Sequence, residues 1–185
     1  LALEVPFDKE IATVLYGGIV GDTGGFRHGN TTSEVLKIAG ELLEYGVEPA
    51  PVAREIFSMQ TLGFLHLLGH ALSEIQTALN GRLAWTIISH EDILRYEVDP
   101  QHTDQLISFV RSLDSCEIAM VLREVKLGEI RVGFRANTVD VGRLARHLGG
   151  GGHKLASGAT LRGDLQQVSQ QVAKIAQYYL LTGEI

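Results

Sequence analysis

Four consecutive glycines, Gly149 to Gly152, end in His153 and run on through Lys154-Leu155-Ala156-Ser157-Gly158. Glycine loses the most backbone freedom on ordering and brings no side chain to a core. Such a run is expected where backbone N–H groups must come close to something, usually an anion. The alternative is a flexible linker. Here, however, a helical pattern carrying Arg143, Arg146 and His147 leads in, and an apolar segment leads out. His153 can donate to the same anion as the amides of Gly150, Gly151 and Gly152. Arg135 closes the strand-like segment Val132-Gly133-Phe134-Arg135. A guanidinium there can pair in bidentate fashion with a phosphate, or it can stand solvated, and the segment alone leaves both readings open. Asp22 lies among small residues in Gly21-Asp22-Thr23-Gly24-Gly25. Its carboxylate suits a hard divalent cation such as Mg²⁺ or Mn²⁺, which takes oxygen donors and keeps waters, and it equally suits an ordinary helix-terminal loop. His66 and His70 have two-histidine metal spacing on a helical pattern, but no glutamate follows His66. The leucines around them point instead to a core-facing or inter-domain stripe. His90, His102 and Cys116 carry no specific signal.

Local patterns set out the elements that must hold these groups. Asp8 is an N-cap for a helix with Ile11, Val14, Leu15 and Ile19 at helical spacing, which stops at the Gly21–Gly25 stretch. Thr31-Thr32-Ser33-Glu34 reads as a capping box, with Glu34 three residues after Thr31. The next helix, through Val35, Ile38, Leu42 and Leu43, ends at Gly46. Pro49 and Pro51 open a further segment, helical from Ala50 to about Leu79. Beyond Gly81 the texture changes. Leu83 to Ile88 reads as a buried strand, Asp104 to Leu113 as a helix, and Glu117 to Val125 as a strand. Residues 126–129 form a turn into a hairpin partner from Ile130 to Phe134. A short helix, Val141 to Leu148, delivers the glycine run. Ala156 to Leu161 reads as a strand, and Leu165 to Tyr179 as a final helix. The boundary is expected near residue 80.

The chain has 185 residues, 45% of them hydrophobic, and a net charge of −6. An acidic chain is not a general nucleic-acid-coating protein, although a local basic groove remains compatible with it. One cysteine excludes an intramolecular disulfide. With no long apolar run and no signal peptide, the expected location is cytoplasmic, without a membrane partner. The first residue is leucine, and the opening segment reads as the middle of something, so a piece of a longer protein is expected.

Taken together, three blocks resemble the DHH phosphoesterases that carry a DHH-associated C-terminal domain, and most closely their nanoRNase and phosphoadenosine-phosphate phosphatase branch. Leu15 to Phe26 is similar to the last metal-binding motif of that family, with Asp22 as its aspartate, and Asn30-Thr31-Thr32 is similar to the segment after that motif. Residues 132–135, 139–142 and 149–158 are similar to the signature of the C-terminal domain. The Asp-His-His triplet of the family does not occur here. The resemblance implies an α/β chain: the end of a catalytic domain (1–48), a helical connector (49–80) and a substrate-binding domain with a mixed sheet (81–185). It implies a parent enzyme in which two Mn²⁺ ions activate water for attack on phosphorus, with Asp22 as a catalytic metal ligand. Its substrates would be short single-stranded oligonucleotides or nucleotide phosphates, held by Arg135, His153 and the amides of Gly150 to Gly152. This chain alone would then lack hydrolytic activity. Alternatives are a non-catalytic nucleic-acid-binding module, a single-strand exonuclease, or a cyclic-dinucleotide phosphodiesterase. The residues give no oligomeric state, although a sheet edge exposed by truncation invites self-association.

Overall fold

The computed structural model describes residues 7–57 and 60–185. The chain divides into two compact units, Leu1–Gln60 and Thr61–Ile185. Among the described residues the first unit is helical: α1 (Lys9–Asp22), α2 (Ser33–Glu44) and α3 (Pro49–Phe57). Asp8 caps α1, its Oδ1 accepting the N–H groups of Glu10 and Ile11 at 3.0 Å. Thr23 ends the helix, and Gly24 and Gly25 then take φ of 58° and 69°, where a side chain would be strained. The cap of α2 is Thr32, whose hydroxyl accepts from Val35 N–H. This corrects the expected Thr31–Glu34 box by one residue. Glu34 instead sits in the first turn, where its charge favours the helix N-terminus. Proline opens α3, where a missing N–H costs nothing. Ala12, Tyr16, Val20, Leu42 and Val47 form the small core of this unit.

The second unit is built on a six-stranded sheet of order β1-β2-β3-β4-β6-β5. In chain order its elements are α4 (Leu62–Ser73), β1 (Gln76–Ala78), β2 (Leu83–Ile88), α5 (His90–Arg95), a 3₁₀ turn (His102–Gln105), α6 (Leu106–Arg111), β3 (Ile118–Lys126), β4 (Glu129–Ala136), α7 (Val141–His147), β5 (Gly151–His153), β6 (Ala156–Arg162) and α8 (Leu165–Thr182). Only β2 and β3 run parallel, and the other neighbours are antiparallel. The sheet is therefore mixed, as expected for an α/β chain. Three elements differ from the sequence expectation: Gln76–Ala78 is a strand rather than helix, a helix stands at His90–Arg95, and Gly151–His153 is a short strand. The expected helix from Asp104 is a 3₁₀ turn followed by α6.

One face of the sheet is a continuous core in which Met120, Leu122, Phe134 and Val132 pack with Leu144, Val172 and Ala176 from α7 and α8. The other face is only half covered. Over β2 and β3, Ala84, Ala119 and Val121 pack under Phe64, Leu67, Leu106 and Val110 of α4 and α6. Thr86 Oγ1 donates to Ala71 O at 2.8 Å in this layer. So α4 and β1, which precede residue 80, pack with the second unit. Over β4 and β6 the same face is largely open, with Ile107 of α6 reaching only as far as Gly133, and Arg131, Gly133, Arg135, Gly158 and Thr160 are exposed or half-buried there. Among the described residues no helix is long and apolar enough to cross a membrane.

Candidate functional site: an arginine cleft on the open sheet face

Strand register fixes the site. Val121, Gly133 and Gly158 are opposite one another across β3, β4 and β6, and Gly151 of β5 pairs with Gly158. Side chains two residues apart on a strand share a face. Beside this glycine row, Arg123 therefore opposes Arg131, which opposes Thr160. On its other side Ala119, Arg135, Ala156 and His153 form the next row. The result is a cleft of about 420 Å³ with a floor of Gly133 and Gly158 and walls that include Arg123, Arg131 and Arg135. A Cβ on Gly158 would stand 3.0 Å from Val132 O, a tight fit against the backbone, whereas one on Gly133 would meet Ile107 Cδ1 at an ordinary 3.5 Å.

The three guanidiniums differ in setting. Arg131 is exposed and Arg135 half-buried, with Arg135 Nη1 donating to Phe134 O at 3.0 Å. Arg123 is buried. Its Nη1 donates to Thr103 Oγ1 at 2.9 Å and pairs with the Asp104 carboxylate. Its Nε–H is buried and has no hydrogen-bond partner. Burial pushes the Arg123 guanidinium down from its ordinary value. Asp104 opposes this, while the charges of Arg131 and Arg135 push it down further. Three mutually repelling cations over a bare floor favour any anion that settles among them.

The glycine run does not form an open nest. Gly149 N–H donates to Arg146 O at 3.0 Å and Gly150 N–H to Ala145 O at 2.8 Å, which closes α7 with Gly149 at φ 78°. The Gly150 amide is thus committed to the helix end, and this corrects its expected role as a free donor. Residues 151–153 continue as edge strand β5. A Cβ on Gly150 would meet Gly158 O at 2.1 Å, and one on Gly152 would meet Ser157 Cα at 2.6 Å. The run lets backbone lie against backbone. Gly149 and Gly150 line the cleft; of the described residues, Gly151, Gly152 and His153 do not. His153 is exposed, in the register row of Arg135.

Asp22 belongs to the first unit, at the last position of α1. Its exposed carboxylate accepts from Asn30 Nδ2 at 2.8 Å through Oδ2. His28 Nδ1 lies 3.2 Å from the Asp22 carbonyl oxygen, and the His28 ring occupies the space that a Cβ at Gly24 would need. Among the described residues no three His, Cys, Asp or Glu side chains converge. The oxygen chemistry of Asp22 suits a hard cation, but one carboxylate is not a metal centre, and no metal-dependent step follows from these residues. His66 and His70 are not core-facing: they are exposed and half-buried, flank the Tyr96 ring at 6.4 and 5.9 Å, and His70 Nε2 lies 3.4 Å from Asp92 Oδ1. Sequence reasoning missed Arg123, Arg131 and His28, and quoted Asn30 only as part of a family segment, with no role. The signal for His28 was its place in the loop that Asp22 opens.

A family model described as the DHHA1 domain matches residues 80–179. Among curated relatives, the bifunctional oligoribonuclease and PAP phosphatase NrnA of Thermus thermophilus is 36% identical over 172 residues, 92% of this chain and 51% of the relative. The protein of the same name from Bacillus subtilis is 32% identical over 154 residues, 83% of this chain and 48% of the relative. Among solved structures, an exopolyphosphatase-related protein from Bacteroides fragilis superposes with a TM-score of 0.86 at 24% identity, covering 93% of this chain and 51% of that one. That likeness concerns the fold. The chain spans about half the length of the curated relatives it matches.

Proposed function

Since the chain belongs to the DHHA1 domain family, we propose that its arginine cleft holds the phosphate groups of a short single-stranded oligonucleotide or nucleotide, as the substrate-binding part of a phosphoesterase. The observation that carries this reading is the convergence of Arg123, Arg131 and Arg135 on one glycine-floored cleft. Guanidinium groups pair with phosphate in bidentate fashion, and a floor without side chains admits a flat base or sugar. The relatives, named as oligoribonucleases and PAP phosphatases, support the substrate class. Asp22 is proposed as one ligand of a Mn²⁺ centre. Such a centre would generate the water nucleophile and stabilise charge on the phosphoryl oxygens. It needs more ligands than the described residues offer, so the chain by itself is expected to bind without cutting. His153 is proposed as a further donor at the β5 end of the Arg135 row.

Calorimetric titration with the dinucleotide pApA tests the reading. Arg135→Ala is expected to weaken binding about tenfold, the effect of one lost charge-assisted hydrogen-bonding group of roughly 1.5 kcal/mol. Preference for folded tRNA over pApA, or binding indifferent to Arg135→Ala, would overturn it in favour of a different binding module. Mn²⁺-dependent cleavage of pApA by the chain alone would overturn the division of labour.

A further inference from the structure

Arg123 enters the cleft with an anion already attached. Asp104, in the 3₁₀ turn, pairs with Arg123 Nη1, and both groups line the cleft. The two partners are unequally held. The Arg123 side chain is 9% exposed and is anchored through Nη1 to Thr103, whose hydroxyl in turn donates to Pro100 O at 2.6 Å. The Asp104 side chain is 67% exposed, so it can leave for water at little cost. Behind the cleft, Thr103, Asp104, Arg123, Gly133 and Arg135 line a recess of about 20 Å³. That is the room of a single water or ligand oxygen, beside a guanidinium whose Nε–H has no protein partner.

We propose that Asp104 is a built-in counter-anion of the cleft, one that a doubly charged phosphomonoester displaces from Arg123 and a singly charged phosphodiester does not. This rests on the phosphate-binding reading of the cleft. With Asp104 in place, three guanidiniums and one carboxylate leave two formal positive charges. A monoanion that replaces Asp104 exchanges one unit charge for another, and gains little beyond what Arg131 and Arg135 already offer it. A phosphomonoester near pH 7 carries a charge of about −1.5 to −2 and three acceptor oxygens. It can serve Arg131 and Arg135 and still bring an oxygen to Arg123, and the recess behind has space for that atom. Asp104 thereby lowers the affinity for the monoester by the whole cost of breaking its pair with Arg123, and for the diester only by the weaker contact that the diester forgoes.

The test compares adenosine 5′-monophosphate with its phosphate methyl ester, which keeps the base and sugar but carries a single negative charge. Both are titrated into the chain and into its Asp104→Asn, Asp104→Glu and Arg135→Ala variants. Asp104→Asn is expected to tighten the monophosphate about three- to tenfold, as a released surface-type ion pair permits, and the methyl ester by less, so that the preference for the monophosphate grows. Asp104→Glu returns it to its original value. A loosened 3₁₀ turn would weaken both ligands together and leave their ratio unchanged, and that outcome overturns the inference. So does an unchanged ratio when Arg135→Ala has abolished binding of both ligands, in which case the cleft reading stands alone. If the monophosphate binds equally well to Arg135→Ala, or to none of the four proteins, the cleft reading fails and this inference fails with it.

Discussion

Arg123 is the most deeply held cation of the cleft, and its partners decide what its removal does. Thr103 keeps its donor bond to Pro100 when the guanidinium is gone, and the exposed Asp104 returns to water. No charge is left buried and alone, which is the usual source of large losses on breaking a buried pair. The unpartnered Nε–H is itself a desolvation cost that substitution relieves. Arg123→Met, which keeps an unbranched stem, is therefore expected to change unfolding free energy by no more than about 1 kcal/mol. Arg123→Ala, which leaves a cavity, is expected to cost roughly 2–3 kcal/mol. Both should weaken nucleotide binding about tenfold. Urea unfolding and calorimetry on the same preparations separate the two effects. A loss above about 3 kcal/mol in Arg123→Met would mark the arginine as a structural residue.

At the scale of elements, the glycine run and the hairpin show what was legible beforehand. The run announced a close approach, but its partner could not be read. Only the pairing of β5 with β6 shows that backbone lies against backbone there. The four glycines are accordingly unequal. Gly150→Ala drives a methyl group into Gly158 O and Ala159 and is expected to destabilise by about 2–3 kcal/mol. Gly151→Ala meets nothing within 4 Å and has no positive φ, so its cost in chemical denaturation should stay below about 0.5 kcal/mol. Equal losses would overturn this account. The cleft was hidden for a different reason. The turn at residues 126–129 was legible, and a regular register counted back from the Lys126–Glu129 pair sets Arg131 opposite Glu124. An irregularity between Glu124 and Lys126 shifts the pairing by one, and Arg131 faces Arg123 instead. A one-residue shift moves every side chain to the other face, so the arginine cluster follows from a bulge that residue types do not announce. By contrast, the Asp8 cap, the β2 and β3 runs and α8 were plain, because periodicity and capping are local. α5 was missed as a six-residue helix, too short to show a period, although the reciprocal Ser89–Asp92 cap was a readable sign of it.

At the scale of the whole molecule, the cleft is a small cationic site in a chain of net charge −6, and the two charges act over different ranges. Close to the sheet face, three guanidiniums attract phosphate. Beyond roughly 8–10 Å, about one Debye length at ordinary salt, the charges of the acidic remainder are screened. Arg131 and Arg135 are four residues apart on β4, a span of about 13 Å at the usual strand rise, so the cleft has room for only a few phosphates. Binding of single strands should therefore release few counterions. With at most three phosphates neutralised, the slope of log K against log salt is expected near −2, from about −0.7 per phosphate. Affinity should rise from the mononucleotide to the trinucleotide and then level off. A groove that tracks a backbone would behave differently, gaining affinity with every added nucleotide and showing a slope that steepens with length. Fluorescence anisotropy with end-labelled oligoadenylates of increasing length, at several salt concentrations, distinguishes the two. A slope much steeper than −2 with the longer strands would show that phosphates are held outside the cleft, and the proposed limit to short strands would fall.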